Sequence, residues 1–413
     1  KLPYYIPLDQ YNYKLIKSLF EERKTFPDSI FYDISAWTLP HALGVPYEWT
    51  RDTRSTNEDL QIMDVPAIEA TFPEMEAPYG YLIPWDDYYA PAALNRLLTQ
   101  NIRVKIASKS FTIDTDQGIK DFSPGSIFIP LQGVEMHPKN MYGRLKNISV
   151  DFGVKVYSVN TGITAEGPDL GSSSFSLVSS PRVGILTGPG VNAYEAGSIW
   201  YFLEKRYNMS VTTVDPSRMN TARLDRYTHL IAPYGFPTRL KKNKELIRDW
   251  VDAGGVMILT GNALAEAKNL GLPELTSRST GSGDDQDWIP FGDQRNRARA
   301  KSISGSLFRI EMDRSHPLNF GFENDEMVVF RRGTRFYDAL PGSDTPTRFT
   351  KDYLVSGYIP DDLGEKPSGA SYISTRRMGR GKLIMFSDSP NFRSYFWGTN
   401  KFLANALFFS NAF

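Results

Sequence analysis

PRVGILTGPGVNAYEAGSIWYFLEKRY, residues 181–207, decides how the chain is read. A short apolar run leads into a glycine-rich turn and then into apolar residues at helical spacing, the order of a strand, a tight turn and a helix. The order repeats downstream. Strands are expected at 210–214 (SVTTV), 229–233 (HLIAP) and 255–260 (GVMILT), with a helix at 241–252 that Ala253-Gly254-Gly255 stops. Two more strands, 371–376 and 382–387, lead to a helix from about 398 to 410 that is apolar on most faces and so must dock in a core.

Working back toward the start, Tyr13, Ile16, Leu19 and Phe20 predict a helix within 9–23, stopped by Pro27. Strand 79–84 (YGYLIP), helix 87–99 and strand 102–107 (IRVKIA) read as a βαβ unit, followed by strand 125–130, a helix from Pro138 to about 150 and strand 154–158. Such alternation predicts parallel strands with covering helices. Residues 161–181 are rich in Gly and Ser and have no periodicity. The expected fold class is therefore α/β, with two doubly wound, flavodoxin-like three-layer domains and mainly parallel sheets. Their bounds are 1–165 and 182–413, with 166–181 as a Gly/Ser-rich linker. The polar stretch 275–300, with Asp284, Asp285 and Asp287 followed by Arg295, Arg297 and Arg299, predicts a mobile loop.

Composition excludes several functions. Among 413 residues, 47 Lys and Arg balance 47 Asp and Glu, which argues against nucleic acid as the main partner. The absence of Cys removes thiolate nucleophiles, Cys-ligated zinc, iron–sulfur clusters and disulfides. No apolar run approaches the ~18 residues that cross a bilayer. Lys1 stands where a Met would begin a chain, so the polypeptide reads as a processed or truncated piece of something longer.

Three constellations bear on chemistry. Gly188-Pro189-Gly190-Val191-Asn192-Ala193 fits G-x-G-x-x-A between a strand and a helix, with Asp215 after the next strand, as in dinucleotide sites. The same turn serves any doubly wound sheet, and Pro189 lacks an N–H. Met257–Ala263 runs from a buried strand into a helix, where a nucleophile elbow would sit. Its central residues, Gly261 and Asn262, are not nucleophiles, and Thr260 has no evident base. Open α/β sheets bind ligands at the carboxyl ends of their strands, so Gly188, Gly190, Gly261, Asn262 and Asp388 are expected to line one crevice. Asp388 is its best acid, with helix N-capping as the plain alternative. The four histidines, His41, His137, His229 and His316, form no H-x-x-E or H-x-x-x-H pair, so no metal site is expected, and His229 reads as a core or rim residue. Aromatic clusters make Trp37, Trp85, Tyr88 and Trp397 candidates for a sugar or peptide platform, although burial is their commoner use. Asp33, Asp86 and Asp87 lie among these rings, where burial would raise a carboxyl pKa.

FYDISAWTLPHALGVPYEW (31–49), YGYLIPWDDYYAPAALNRLLTQNIRVKIA (79–107), GPDLGSSSF (167–175), the opening stretch and GRGKLIMFSDSPNFRSYFWGTNKFLANALFF (379–409) carry a resemblance. Together they resemble the region C-terminal to the catalytic domain in large bacterial zinc carboxypeptidase-like proteins of the carboxypeptidase A type. From about residue 181 the layout is also similar to class I glutamine amidotransferase-like domains. The resemblance implies a secreted or periplasmic metallopeptidase parent whose zinc, held by H-x-x-E and a later His, lies in an upstream catalytic domain. None of those positions is matched here, and the amidotransferase Cys is missing. The implied role is a non-catalytic accessory portion, without a cofactor of its own, that packs on the peptidase domain or binds its peptide or glycan substrate. The alternatives are a small-molecule or hydrolytic site at the strand ends and a carbohydrate-binding surface on the aromatic clusters.

Overall fold

The structure, a computed structural model, describes residues 4–51, 70–133, 136–219, 224–235, 242–278 and 288–413. Its N-terminal segment holds α1 (Tyr13–Phe20) and α2 (Leu39–Leu43), the latter ended by Gly44 at φ 69°. This segment packs on the far half of the chain. Ile34, Ala36 and Ala42 share a core with Leu307, Phe330, Val355, Phe392 and Phe396. Ser35 fixes the crossing through its N–H and Oγ, which both donate to Gly305 O at 2.9 and 2.8 Å.

The first sheet uses β1 (Gly80–Ile83), β2 (Lys105–Ala107), β5 (Ile127–Pro130), β6 (Tyr157–Val159) and β7 (Phe175–Leu177) in the order β6-β1-β5-β2-β7. Helices α3 (Ala90–Thr99) and α4 (Pro138–Phe152) pack against each other, and the hairpin β3 (Phe111–Thr115) to β4 (Gly118–Phe122) stands between β2 and β5 in the chain. Alternate residues divide between two cores. Tyr81, Ile83, Ile127 and Ile129 join the core of the helices, whereas Leu82, Phe128 and Ala107 join Phe111, Ile113 and Phe122 of the hairpin. Both faces being apolar, the strands read as unbroken hydrophobic runs. The expectation of a parallel, doubly wound first domain is corrected here, because every neighbouring pair in this sheet is antiparallel. β5 inserts between β1 and β2, giving a ferredoxin-like split βαβ arrangement. The stretch read as a linker, 166–181, supplies the edge strand β7.

The second sheet has eleven strands. Five are parallel: β8 (Val183–Leu186), β9 (Val211–Val214), β10 (His229–Ala232), β11 (Val256–Thr260) and, completing the set, β18 (Gly381–Phe386). Their order, β9-β8-β10-β11-β18, is the flavodoxin-like 2-1-3-4-5 arrangement. Ile185, Ile231, Ile258 and Ile384 face α5 (Ala193–Tyr201) and the fully buried α8 (Asn400–Phe408), in the same core as α3 and α4. Leu186, Leu230, Met257 and Leu383 face α6 (Lys244–Asp252) and the 3₁₀ segment Gly261–Leu270. Each fully buried Ile or Leu contributes about 1.5–3 kcal/mol.

Beyond β18 the sheet turns antiparallel through β17 (Ser371–Met378), β16 (Asp344–Ser356), β13 (Ser306–Met312) and β14 (Glu326–Arg331), with the short β15 (Phe336–Tyr337) pairing β17 and β12 (Ser277–Arg278) pairing β15. Within the stretch expected to be a mobile loop, Phe291–Ala300 forms α7, with Arg297 and Arg299 complementing the dipole of its last turn. Asp284, Asp285 and Asp287 lie outside the described residues.

Two polar residues of α8 tie the sheets together. Asn405 accepts from Trp85 Nε1 at 2.8 Å, and Lys401 Nζ donates to the carbonyls of Trp85, Asp86 and Asp87 at 2.6, 2.8 and 3.3 Å. His229 lies in the same layer, buried, with Nε2 3.0 Å from Ser410 Oγ and Nδ1 2.8 Å from Thr228 Oγ1. Burial lowers its pKa to about 3. The unfolded chain binds this proton near pH 6.5 and the folded chain only near 3, so stability falls as pH drops through that window. In urea titrations from pH 7 to 4, His229→Gln should flatten the slope of stability against pH by about 1.4 kcal/mol per unit relative to wild type. An unchanged slope would refute the assignment.

Candidate functional site

At the carboxyl ends of the parallel strands lie the five residues expected to line a crevice: Gly188 and Gly190 after β8, Gly261 and Asn262 after β11, and Asp388 after β18. After β8, Gly188 and Gly190 adopt φ of 107° and 96°, so the chain turns sharply into α5. Asn192 caps that helix, its Oδ1 accepting from the N–H groups of Tyr194 and Glu195 at 3.0 and 3.3 Å. These amides are the kind that would face a pyrophosphate. Asp215, placed by the fingerprint on a ribose, instead accepts from Ser217 N at 2.8 Å. Tyr234 and Gly235, just after β10, bond to both features: Asn192 N donates to Tyr234 O at 3.0 Å, and Gly235 N donates to Asn262 Oδ1 at 2.5 Å.

Gly261, directly after β11, has φ 59°, the left-handed backbone of an elbow residue. A Cβ built there would lie 2.2 Å from Tyr234 Cδ2. The Tyr234 ring thus fills the space into which an elbow side chain would project. On that ring lies Arg332, from the turn after β14, with its guanidinium carbon 4.5 Å from the Tyr234 centroid and 4.9 Å from that of Phe392. Arg332 Nη1 binds Glu195 Oε1 at 2.7 Å, and Nη2 binds Asp388 Oδ1 at 2.9 Å. Burial works against this charge, but Asp388 and Glu195 outweigh it and hold the guanidinium above its ordinary pKa.

Asp388 is completely buried. Oδ1 accepts from Arg332 Nη2 and Ser389 N, and Oδ2 from Arg331 Nη1 and Arg332 N. A carboxylate offers about four acceptor positions, all of them occupied here, which leaves none for taking a proton from a substrate. The expectation of an acid lining an open crevice is corrected accordingly: two consecutive arginines enclose it. Glu195 Oε2, Ser387 Oγ and Tyr372 OH are buried around this centre without a hydrogen-bond partner among the described residues.

The aromatic candidates separate. Trp85 is fully buried between Asn405 and Phe409, which removes it from any surface platform. Tyr88 stacks on Trp397 (5.3 Å, 21°), and Arg206 covers Trp397 at 3.5 Å. Trp37 is 43% exposed beside Tyr395 and Arg393. Arg393 also binds Asp33 through two contacts of 2.7 and 2.9 Å; the Asp33 side chain stays 39% exposed, and this bonding lowers its pKa. Asp87 behaves as expected, since burial raises it. Arg393 and Ser394 are consecutive non-glycine residues at φ 50° and 55°, a strained turn beside the buried ion pairs. No three His, Asp or Glu side chains among the described residues converge as a metal cage.

Sequence reading missed Glu195, Tyr234, Arg331 and Arg332. The signal available was the apolar strand MVVF (327–330) ending in Arg331-Arg332, since buried arginines demand carboxylate partners.

No family model and no curated protein matches the chain. Among solved structures it is similar to a β-galactosidase from Bacillus circulans, at 14% identity over 55% of this chain and 30% of that one, with a TM-score of 0.32. It is also similar to a glutamine amidotransferase from Thermotoga maritima (11%, 50% of this chain and 74% of that one, 0.32) and a cytoplasmic protein from Salmonella typhimurium (14%, 55% and 97%, 0.31). The chain thus spans about 30% of the β-galactosidase it matches. Likenesses at this level carry no argument about chemistry.

Two sets of substitutions probe the closed site. Gly261→Ala should cost about 2–5 kcal/mol in urea unfolding, from the left-handed backbone and the clash together. In a Tyr234→Ala background that cost should shrink by about 1–3 kcal/mol, the part owed to the ring. Arg332→Met should cost about 3–5 kcal/mol by leaving the Glu195 carboxylate without its cation and Asp388 with Arg331 alone, and Glu195→Gln should restore part of it.

Proposed function

We propose that this chain is a non-catalytic module, the accessory portion of a larger zinc carboxypeptidase-like protein, where it supports the peptidase domain or holds its peptide or glycan substrate. The observation that carries the reading is the elbow residue: Gly261 sits at φ 59° and the Tyr234 ring occupies the place of its side chain. The amidotransferase-like layout is kept without its attacking group or the space for one. The sequence resemblance supports the peptidase parent, a secreted or periplasmic location and zinc confined to an upstream domain. For a glycan, the half-buried Tyr88 and Trp397 under Arg206 form the fitting stack.

A second reading, a small-molecule site at the strand ends, is favoured by the unpartnered Glu195 Oε2, Ser387 Oγ and Tyr372 OH around Asp388. Thermal melts with nucleotides and small amides separate the two, because a ligand of the folded state raises the melting temperature by mass action. The module reading expects no shift, and no turnover of glutamine, esters or C-terminal peptide reporters with zinc present. Turnover abolished by Asp388→Asn would overturn it.

A further inference from the structure

Between the end of α1, helix α2 and the residues after it lies a cavity of about 500 Å³, lined by Glu22, His41, Pro46, Tyr47, Glu48 and Trp49 among others. Its aromatic walls are set by Phe20, which meets Tyr47 and Trp49 edge-on at 5.6 and 6.1 Å. Glu22 Oε1 accepts from Tyr47 OH at 3.0 Å and lies 2.6 Å from His41 Nε2. Burial, and then Glu22, pushes the Tyr47 phenol above its ordinary pKa, so it remains a donor at neutral pH. Glu22 Oε2 and the Glu48 carboxylate make no hydrogen bond or ion pair among the described residues. Among the described residues no Lys or Arg lines the cavity, and Val45 and Trp49 at its rim are 53% and 52% exposed.

Two carboxylates beside the faces and edges of two aromatic rings attract a cation whose stem is apolar, and a basic side chain has both properties. We propose that this cavity binds an arginine or lysine side chain presented by a peptide partner, with the guanidinium or ammonium group at Glu22 and Glu48 and the methylene stem along Trp49. The inference rests on the peptide-binding half of the proposed function and supplies its subsite. Catalysis plays no part in it.

The experiment titrates the chain with the Nα-acetyl amides of arginine, lysine and norleucine, following tryptophan fluorescence in wild type and in Trp49→Leu, Glu22→Gln and Glu48→Gln. Circular dichroism confirms the fold of each variant, and Glu48→Gln, at an exposed and unpartnered carboxylate, keeps the test available if Glu22→Gln does not fold. Saturable changes with the two basic amides are expected, with none for norleucine. The changes should vanish in Trp49→Leu and weaken about tenfold in a Gln variant. Equal binding of norleucine, binding unchanged in the variants, or no saturable binding overturns the proposal. The non-catalytic reading is decided separately by turnover.

Discussion

A buried guanidinium must be neutralised, and that requirement organises one end of the second sheet. Arg332 reaches Glu195 at the start of α5 and Asp388 after β18, while rings following β10 and β18 cover its faces. Strand ends that an open α/β sheet would leave apart are thereby joined. Charge balance is local, since Arg331 and Arg332 stand against Asp388 and Glu195. An ion-pair network of this kind is not in itself a source of great stability, because desolvation offsets much of the attraction. Its effect is specificity: few other arrangements of these loops would leave all four charges paired.

The same network shows how the turns at the carboxyl ends of the parallel strands are packed together. Gly261 makes its sharp turn without a side chain, and the Tyr234 ring, with Arg332 stacked upon it, fills the space a Cβ there would enter. The glycine-rich turn after β8 has a comparable fate, its helix amides being satisfied by Asn192.

Periodicity revealed most of the elements but not how they pair. Strand β1, helix α3 and strand β2 were all visible, yet nothing in their residues states that β5 lies between the two strands, because adjacency depends on contacts distant in sequence. The hairpin of β3 and β4 escaped notice because its residues alternate weakly, as in GIKDF (118–122). At the candidate site, the glycines and Asp388 were found from their positions after strands. Glu195 and Arg332 were not, since they lie 137 residues apart and meet only in the folded chain. Exposure was equally hidden, and Trp85 and Trp397 look alike in sequence while one lies in the core and the other is half-buried.

The bond between Trp85 and Asn405 spans 320 residues. At roughly 5–20 residues per second, a ribosome needs on the order of tens of seconds to make the second partner after the first has emerged. Throughout that interval the first sheet presents an unmet indole and the apolar surface around it. Assembly of the two sheets into one body is therefore a late event, which waits for α8 to leave the exit tunnel.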